Sequence, residues 1–520
     1  MQKNDIAVEK HIIDYYEKKL MEHRISSSEK WAIYGSGNGA EVIFEILRRW
    51  NLQDVLVAIV DNADVVAKGR TFHGFSVRGF EEVYNHVDGI IIGALVYHEA
   101  VYERVLNELS SLRNDSVKVV NLFGHCNTED DVKEYVSYIE NLYSFKNKDL
   151  FKEFDDKGFK LEPQDTKVIA WYLPQFHRID TNDHYYGRGF TEWTNTTKAI
   201  PMFTGHYQPH IPYDVGYYDL NNPEVFERQI YLAKSYGIYG FSFYYYWFSG
   251  KRIMEKPLNY FLAHPELKMN FCITWANENW SALWDGGNND LIFEQNLKPD
   301  DDIKFIQDAY PYMSDPRYIS VKGKKLLIIY RATIWEKDRV KELISNFRAE
   351  ARRLGLGELY IMLCNTREFD EEVAEWGADG LVEFPPNGVK KYSSDVIVEG
   401  YLNPNFIGYI KDTKNFFAQK KYLCKHNSKE FYRGAIPSWD NTARKAYNGA
   451  TIYKGLTPQT FELWLTDIIK ESHEIHSVDN DFVFVNAWNE WAEGAHLEPD
   501  MMYGYANLDA VRNALEKNRK

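Results

Sequence analysis

Long apolar runs are missing from this chain. No stretch approaches the roughly 18 apolar residues of a membrane-spanning helix. Cysteine is scarce: Cys126, Cys272, Cys364 and Cys424 are all there is in 520 residues. They lie far apart with no Cys-x-x-Cys pair, so neither a disulfide framework nor a zinc site is suggested. Cys272 and Cys364 fall inside apolar strand-like runs, where a free cysteine is an ordinary core residue. Excess positive charge is missing too. Lys and Arg number 61 against 76 Asp and Glu, a formal net charge of -15. That balance argues against a nucleic-acid binder and against docking on anionic lipid. Residues Met1 to Glu22 are charged and lack an apolar h-region, so no signal peptide is expected and the cytoplasm is the default compartment. No internal repeat of short fixed period is found.

What the chain does have is length, aromatic rings and an alternating pattern. A single core seldom grows to 520 residues, so two domains or more are expected. Aromatic residues make up 16%, with 37 Tyr and 14 Trp. These side chains join a flat apolar face to a polar edge, which suits sugar rings as well as a large core.

Three regions follow in order. Residues 1–125 alternate: a helix over Ile6 to His23, a strand Trp31 to Tyr34, a glycine loop, a helix to Arg49, and a strand Val55 to Val60 ending on Asp61. An apolar run Gly89 to Ile92, a helix near Ala100 to Leu112 and a strand Val117 to Leu122 complete it. Alternating strands and helices predict a doubly wound parallel sheet of Rossmann-like type. Residues 126–165 are polar and charged, with a helical stretch Asp130 to Tyr143 and a linker Asp149 to Gln164. Residues 166–520 alternate again. Strands are predicted at Val168 to Tyr172, Gly240 to Tyr245, Phe271 to Trp275, Lys325 to Tyr330, Leu359 to Leu363, Gly380 to Phe384, Gly434 to Pro437 and Phe482 to Ala487. Helices lie between many of them, such as Pro223 to Tyr236, Asp302 to Tyr312, Lys337 to Leu354 and Pro458 to His473. Eight short apolar strands in this length predict a (β/α)8 barrel of the TIM type, with a doubly wound sheet as the alternative.

In such barrels functional residues gather past the C-terminal ends of the strands. The segments there are rich in Trp, Tyr, Glu, Asp and Asn. Flat rings stack on sugar C–H faces, and carboxylates and amides fork onto vicinal hydroxyls. Candidate substrate contacts are Gln175, His177, Glu192, Trp193, Tyr245, Trp247, Trp275, Asn277, Glu278, Trp280, Arg331, Glu383, Trp439, Asp440, Trp488, Asn489 and Trp491. Helix capping accounts for one or two such segments and poorly for seven. Glu383 and Asp440 have a second reading, as ion-pair partners of Arg331 or Arg444. His206 and His210 have an i, i+4 spacing, but Pro209 disfavours a helix there, and no metal site is assigned.

The eighth segment is the sharpest. Glu490 and Glu493 are three residues apart between Trp488 and Trp491. On a turn or first helical turn, this spacing puts both carboxylates on one side. Glycoside chemistry commonly uses a carboxyl pair, one donating a proton to the leaving oxygen and one acting as base or nucleophile. Neighbouring indoles would desolvate one carboxyl and raise its pKa. An acidic helix N-terminus is the bland alternative.

Asn489-Glu490-Trp491-Ala492-Glu493-Gly494, straight after an apolar strand, resembles the Asn-Glu-Trp-x-Glu-Gly motif of glycoside hydrolase family 99. Ile169 to His177, Gly189 to Asn195 and Gly205 to His210 are similar to its WbsX-like relatives, which are linked with O-antigen and capsule assembly and loosely labelled glycosyltransferases. The resemblance covers about residues 166 to 505. It implies a retaining reaction through a 1,2-anhydro sugar, with Glu490 as the base toward the 2-hydroxyl and Glu493 as the acid/base at the leaving oxygen. Ala492 stands where the hydrolases commonly have His, which puts the substrate in question more than the chemistry. The implied partners are an oligosaccharide or a lipid-linked glycan, and the barrel needs no cofactor. A sugar-nucleotide-dependent glycosyltransferase, or a non-catalytic glycan-binding assembly protein, are the alternatives. The presence of both carboxylates favours an enzyme.

The N-terminal loop holds Gly35, Gly37 and Gly39 between a strand and a helix, where backbone N–H groups can cradle a phosphate. Asp61 would then reach a ribose hydroxyl of a nucleotide or sugar nucleotide. The third glycine is one place early for the dinucleotide fingerprint, and Glu41 adds negative charge. A Rossmann-like domain without a ligand therefore stands as an equal reading.

Overall fold

The computed structural model describes residues 10–94, 98–112, 114, 116–122, 147, 149–203, 205–281, 291–298, 300–366, 372–396, 398, 406, 408–423, 430–445 and 449–519. The expected helix Asp130 to Tyr143, and Cys126 and Cys424, lie outside these residues. The chain divides into two compact units, 1–142 and 143–520.

The first unit is built on strand Trp31–Tyr34, whose four residues are all buried. A continuous apolar run of this kind suits a parallel strand covered on both faces. Trp31 and Ile33 pack with Ile43, Ile46 and Leu47 of helix Asn38–Arg49. Ala32 and Tyr34 face the other way, toward Val105 and Leu109 of helix His98–Ser111. Strand Leu56–Val60 pairs on one side of Trp31–Tyr34 and Gly89–Ile92 on the other, both parallel. Phe75–Arg78 and Lys118–Val120 extend the sheet in parallel, and the short Thr71–Phe72 closes one edge antiparallel. The unit is thus a doubly wound, mixed but mainly parallel sheet.

The second unit contains a closed barrel of eight parallel strands in chain order: Lys167–Tyr172, Ile238–Phe248, Asn270–Trp275, Lys324–Ile329, Leu359–Asn365, Gly380–Glu383, Phe431–Ala435 and Phe482–Val485. The eighth strand pairs back onto the first, with Val485 opposite Ala170. All eight expected strands are present. The seventh begins three residues earlier than expected, at Phe431. The four helices named from the sequence form as Pro223–Ser235, Asp301–Met313, Lys337–Arg353 and Pro458–Ile475.

Local chemistry explains these helices. Asn222 accepts from the Glu224 N–H ahead of Pro223, and Thr457 and Thr460 form a capping box ahead of Pro458. In Lys337–Arg353 the buried Val340, Leu343, Ile344, Phe347 and Ala351 make one stripe at helical spacing. The stretch Asp149 to Gln164, expected as linker, is packed within the second unit. Phe154 lies against Tyr236 and Tyr505, and Lys152 donates its N–H to the Tyr503 carbonyl. Among the described residues no helix is long and apolar enough to cross a membrane.

Candidate active site

A cavity of about 620 Å³ opens at the C-terminal ends of the barrel strands. Strand parity decides which aromatic side chains reach it. Along the second strand, Tyr244, Tyr246 and Phe248 line the cavity. Tyr245 and Trp247, alternating with them, point outward: Tyr245 bonds Asp308, and Trp247 packs on Trp275 and Phe305. Tyr245 and Trp247, expected as sugar contacts, thus lie outside the cavity lining, and Tyr244 and Tyr246 stand in it. Trp275 lies among Phe305, Trp335 and Phe347, in the layer between strands and helices.

The eighth strand runs into a small hairpin. Asn489–Glu490 pairs with Ala495–His496, and Trp491–Glu493 forms the turn between them. The turn closes on Gly494 at φ 61°, where a side chain would also press to 3.1 Å from the Asp440 nitrogen. Only glycine meets both demands. This turn sends Glu490 and Glu493 into the cavity together.

Their common partner is Arg444. Its Nη2 donates to Glu490 Oε2 at 3.0 Å and its Nη1 to Glu493 Oε1 at 2.8 Å. The same guanidinium donates from Nη2 and Nε to Glu192 Oε1, at 2.5 and 3.1 Å. Three carboxylates thus share one cation in a buried setting. Burial pushes Glu490 well above the usual carboxylate range; Arg444 pulls it down, while Glu493 and Glu192 add to the rise. Such a carboxyl is suited to exchanging a proton near neutral pH.

The segment that carries Arg444 is braced from behind. Arg444 belongs to the short helix Thr442–Lys445, whose Thr442 N–H and hydroxyl donate to Asp440 Oδ1 at 3.0 and 2.7 Å. Asp440 Oδ2 accepts from His206 Nε2 at 2.6 Å and from Gln208 Nε2 at 2.9 Å. Burial works against the Asp440 charge, but the His206 and Thr442 bonds outweigh it and hold the carboxyl down at about 2. Asp440 is therefore a support under Arg444, set back from the cavity lining. Glu383 also lies behind the wall. It pairs with Arg433 and accepts the Gly434 N–H at 3.0 Å, instead of meeting Arg331 or Arg444. Burial raises its pKa.

Of the residues expected from the sequence, Gln175, Glu192, Glu278, Trp280, Arg331, Trp439, Glu490 and Glu493 line the cavity. Glu278 bonds Arg331, and Gln175 Nε2 donates to the Tyr246 hydroxyl at 3.0 Å. The others hold the frame. His177 Nδ1 donates to the Pro174 carbonyl at 2.8 Å, and burial lowers its pKa. Asn277 clasps the Arg331 backbone through both amide atoms, at 2.9 and 2.8 Å. Asn489 does the same to Leu173, at 2.7 and 3.0 Å, tying the eighth strand end to the first. Trp193 packs on Phe176 and Trp491 and donates to the Tyr218 carbonyl. Trp488 and Trp491 both donate their indole N–H to Glu498, at 3.1 and 2.7 Å. Asn and Trp at strand ends serve backbone clasps and core packing as readily as ligands, so composition alone does not separate the two.

Residues not anticipated in these roles are Arg444, Tyr244, Tyr246, Tyr330, Phe384 and Asn387 on the wall, and Glu498 behind it. A signal for Arg444 was present: it is a cation in the segment after the seventh strand, next to Trp439 and Asp440.

In the N-terminal unit, Gly35 has φ 110°, and a Cβ there would crowd Ala94 N to 3.1 Å. Gly37 caps helix Asn38–Arg49, within whose first turn Gly39 is buried. Asp61 is turned onto the loop. Its Oδ2 accepts the Ser36 N–H at 3.0 Å and the Ser36 hydroxyl at 2.7 Å, and its Oδ1 accepts the Asn62 N–H. Glu41 pairs with His73.

Comparison with known proteins places the barrel. A profile of the family described as "Glycosyltransferase WbsX" matches residues 168–511. Two curated relatives, each described as "Uncharacterized protein WxcX", come from two strains of Xanthomonas campestris pv. campestris. Each is 38% identical over 350 residues, 67% of this chain and 50% of the relative. The chain thus spans about half the length of the curated relatives it matches. Solved structures with a similar course include a GH99 endo-alpha-mannosidase from Bacteroides thetaiotaomicron (14% identity, 69% of this chain and 98% of that one, TM-score 0.44). A "Glycoside hydrolase-like protein" is comparable (16% identity, 71% and 98%, TM-score 0.44). On the strength of the profile match and the 38% identity, the chain belongs to the WbsX glycosyltransferase family.

Proposed function

We propose that the barrel mouth is the active site of a carbohydrate-active enzyme that cleaves or transfers a glycosidic bond with retention. Its substrate is a polysaccharide or a lipid-linked glycan precursor. One observation carries this reading: Glu490 and Glu493 enter one aromatic-walled cavity from a single hairpin and share Arg444 with Glu192. Tyr244, Tyr246, Trp280, Phe384 and Trp439 offer faces for sugar C–H groups. Gln175, Glu278, Arg331 and Asn387 offer hydrogen bonds to hydroxyls.

In this reading Glu490 takes the proton of the substrate's 2-hydroxyl, whose oxygen attacks C1 and displaces the leaving oxygen. Glu493 supplies the proton that oxygen needs. Burial of Glu490 supports the base role, because a carboxylate of raised pKa is the stronger base once ionised. Arg444 keeps the carboxylates ionisable together. In the second half, Glu493 deprotonates the acceptor that opens the anhydro sugar, and the 2-hydroxyl regains its proton from Glu490.

Water as acceptor gives hydrolysis and a sugar hydroxyl gives transfer. The family's description supports transfer. A sugar-nucleotide donor is the second reading, supported by the doubly wound N-terminal sheet. The test is mass-spectrometric product analysis with lipid-linked glycan from the source cells, candidate sugar nucleotides and a 2-O-methyl donor. New glycoside or hydrolysis products are expected from the unmodified glycan and none from the 2-O-methyl donor. Full turnover of the 2-O-methyl donor would rule out the anhydro-sugar route.

A further inference from the structure

His210, His496 and Asp500 meet in the interior, outside the cavity lining. One donor atom from each lies within 4.8 Å of the others, and all three residues are buried. His210 Nδ1 is 2.8 Å from His496 Nε2, which is 3.8 Å from Asp500 Oδ2. His496 Nδ1 lies 2.9 Å from the Glu498 carbonyl oxygen and donates to it. That bond selects the tautomer whose Nε2 lone pair faces His210 and Asp500. A carbonyl holding the far N–H of an imidazole is the usual way a metal-bound histidine is oriented. Trp491 stacks on the His496 ring at 3.8 Å and fixes its plane.

The surroundings of the cluster leave room for a cation. Residues 496–500 bury two carboxylates, Glu498 and Asp500, at 1% and 3% exposure. Among the described residues Glu498 is met by neutral donors: Trp488, Trp491, Tyr218 and Gln229. Asp500 Oδ1 accepts the Met502 and Tyr503 N–H groups at 3.0 and 2.7 Å. Asp500 also bonds the Tyr207 hydroxyl, the neighbouring His496 is neutral in this tautomer, and among the described residues neither carboxylate has a Lys or Arg partner. A buried carboxyl without a cationic partner is either protonated or held by neutral donors or by a metal.

We propose that His210, His496 and Asp500 hold a divalent cation of the zinc class. Two imidazoles and a carboxylate are a donor set for such borderline cations, and bonds of about 2.0–2.2 Å need only a small parting of the two nitrogens. The ion would be structural. It would fasten the strap around His210, already joined through Tyr213 N–H to Pro499 O and Met501 N–H to Ile211 O, to the hairpin that carries Glu490 and Glu493. The same strap carries His206 and Gln208, which hold Asp440.

The test uses the full chain. Metal content is measured by mass spectrometry after purification without chelator. The chain is then stripped with chelator and titrated with Zn²⁺ or Co²⁺. The expected result is about one ion per folded chain, a fall in melting temperature on stripping, recovery with Zn²⁺, and a visible absorption band with Co²⁺. His496→Ala and the isosteric Asp500→Asn should lose or weaken the band. Should those variants fail to fold, the unmodified chain with Co²⁺ decides alone. A chain that holds no metal, melts unchanged with chelator or Zn²⁺ and gives no Co²⁺ band would overturn the proposal. The two imidazoles would then be a plain hydrogen-bonded pair.

Discussion

Replacing Arg444 with methionine is the most informative single change. It removes a guanidinium that bonds Glu192, Glu490 and Glu493 and leaves three carboxylates facing one another. A unit charge about 4 Å away is worth about 4 kcal/mol at an effective dielectric constant of 20. That attraction acts on each carboxylate separately, so Glu490 alone loses up to about 4 kcal/mol, or about 3 pH units, before solvent screening. Arg444 lowers Glu490 against the effects of burial, Glu493 and Glu192, so its loss drives Glu490 further up. If Glu490 must be ionised to act, the acid limb of the kcat/KM profile should move to higher pH by about 1 unit or more. Stability should follow the same sign. A carboxyl raised in the fold stabilises the protein fully below its unfolded pKa and loses that contribution as pH rises through the folded pKa. In the variant this decline should extend to higher pH. Arg444→Lys keeps the charge but not the fork, and should restore only part of the profile. The assay is a pH series of kcat/KM on any active donor, with melting curves at the same pH values. An acid limb that stays in place or moves to lower pH would refute the assignment of Glu490 as the ionised base.

Glu493→Gln should slow donors with poor leaving groups by about 10²–10⁴ while partly sparing activated aryl glycosides, whereas Glu490→Gln should slow both kinds alike; single-turnover rates on paired donors check this. Trp247→Ala should cost stability, about 3–5 kcal/mol by denaturant titration, whereas Trp439→Ala, on the cavity wall, should weaken substrate binding with little change in melting; the reverse pattern would contradict the strand parity. Asp440 is held at about 2 in the fold, below its usual value, so its contribution is present above the unfolded carboxylate range and lost as pH falls through about 2. Asp440→Asn should flatten that acid-side loss in melting curves and lower kcat by loosening Arg444, and a variant still as acid-sensitive as the parent would count against it.

Much of this could be read along the chain because it is local. Each barrel strand is a short apolar run beside helical spacing, and a run buried on both faces announces itself without knowledge of its neighbours. The Glu490 to Gly494 turn was equally legible, since three residues and one glycine suffice to aim two carboxylates the same way. Parity was not legible. Phe241 to Phe248 is aromatic at nearly every position, so nothing in its order tells lumen from outer layer. Register against the neighbouring strands, with Tyr244 opposite Thr274 and Tyr245 opposite Trp275, puts Tyr244 and Tyr246 inside. Nor does a list of residues tell a carboxylate that meets substrate from one that braces the frame: Glu383 and Asp440 sit at strand ends as Glu490 does, yet face Arg433 and His206. Barrel closure alone brings Arg444 to Glu192, 252 residues away, and His210 to His496, 286 residues away. Local spacing thus determined the strands and the carboxylate pair, and tertiary structure decided which charges and rings meet, because those contacts join segments whose separation along the chain carries no periodic signal.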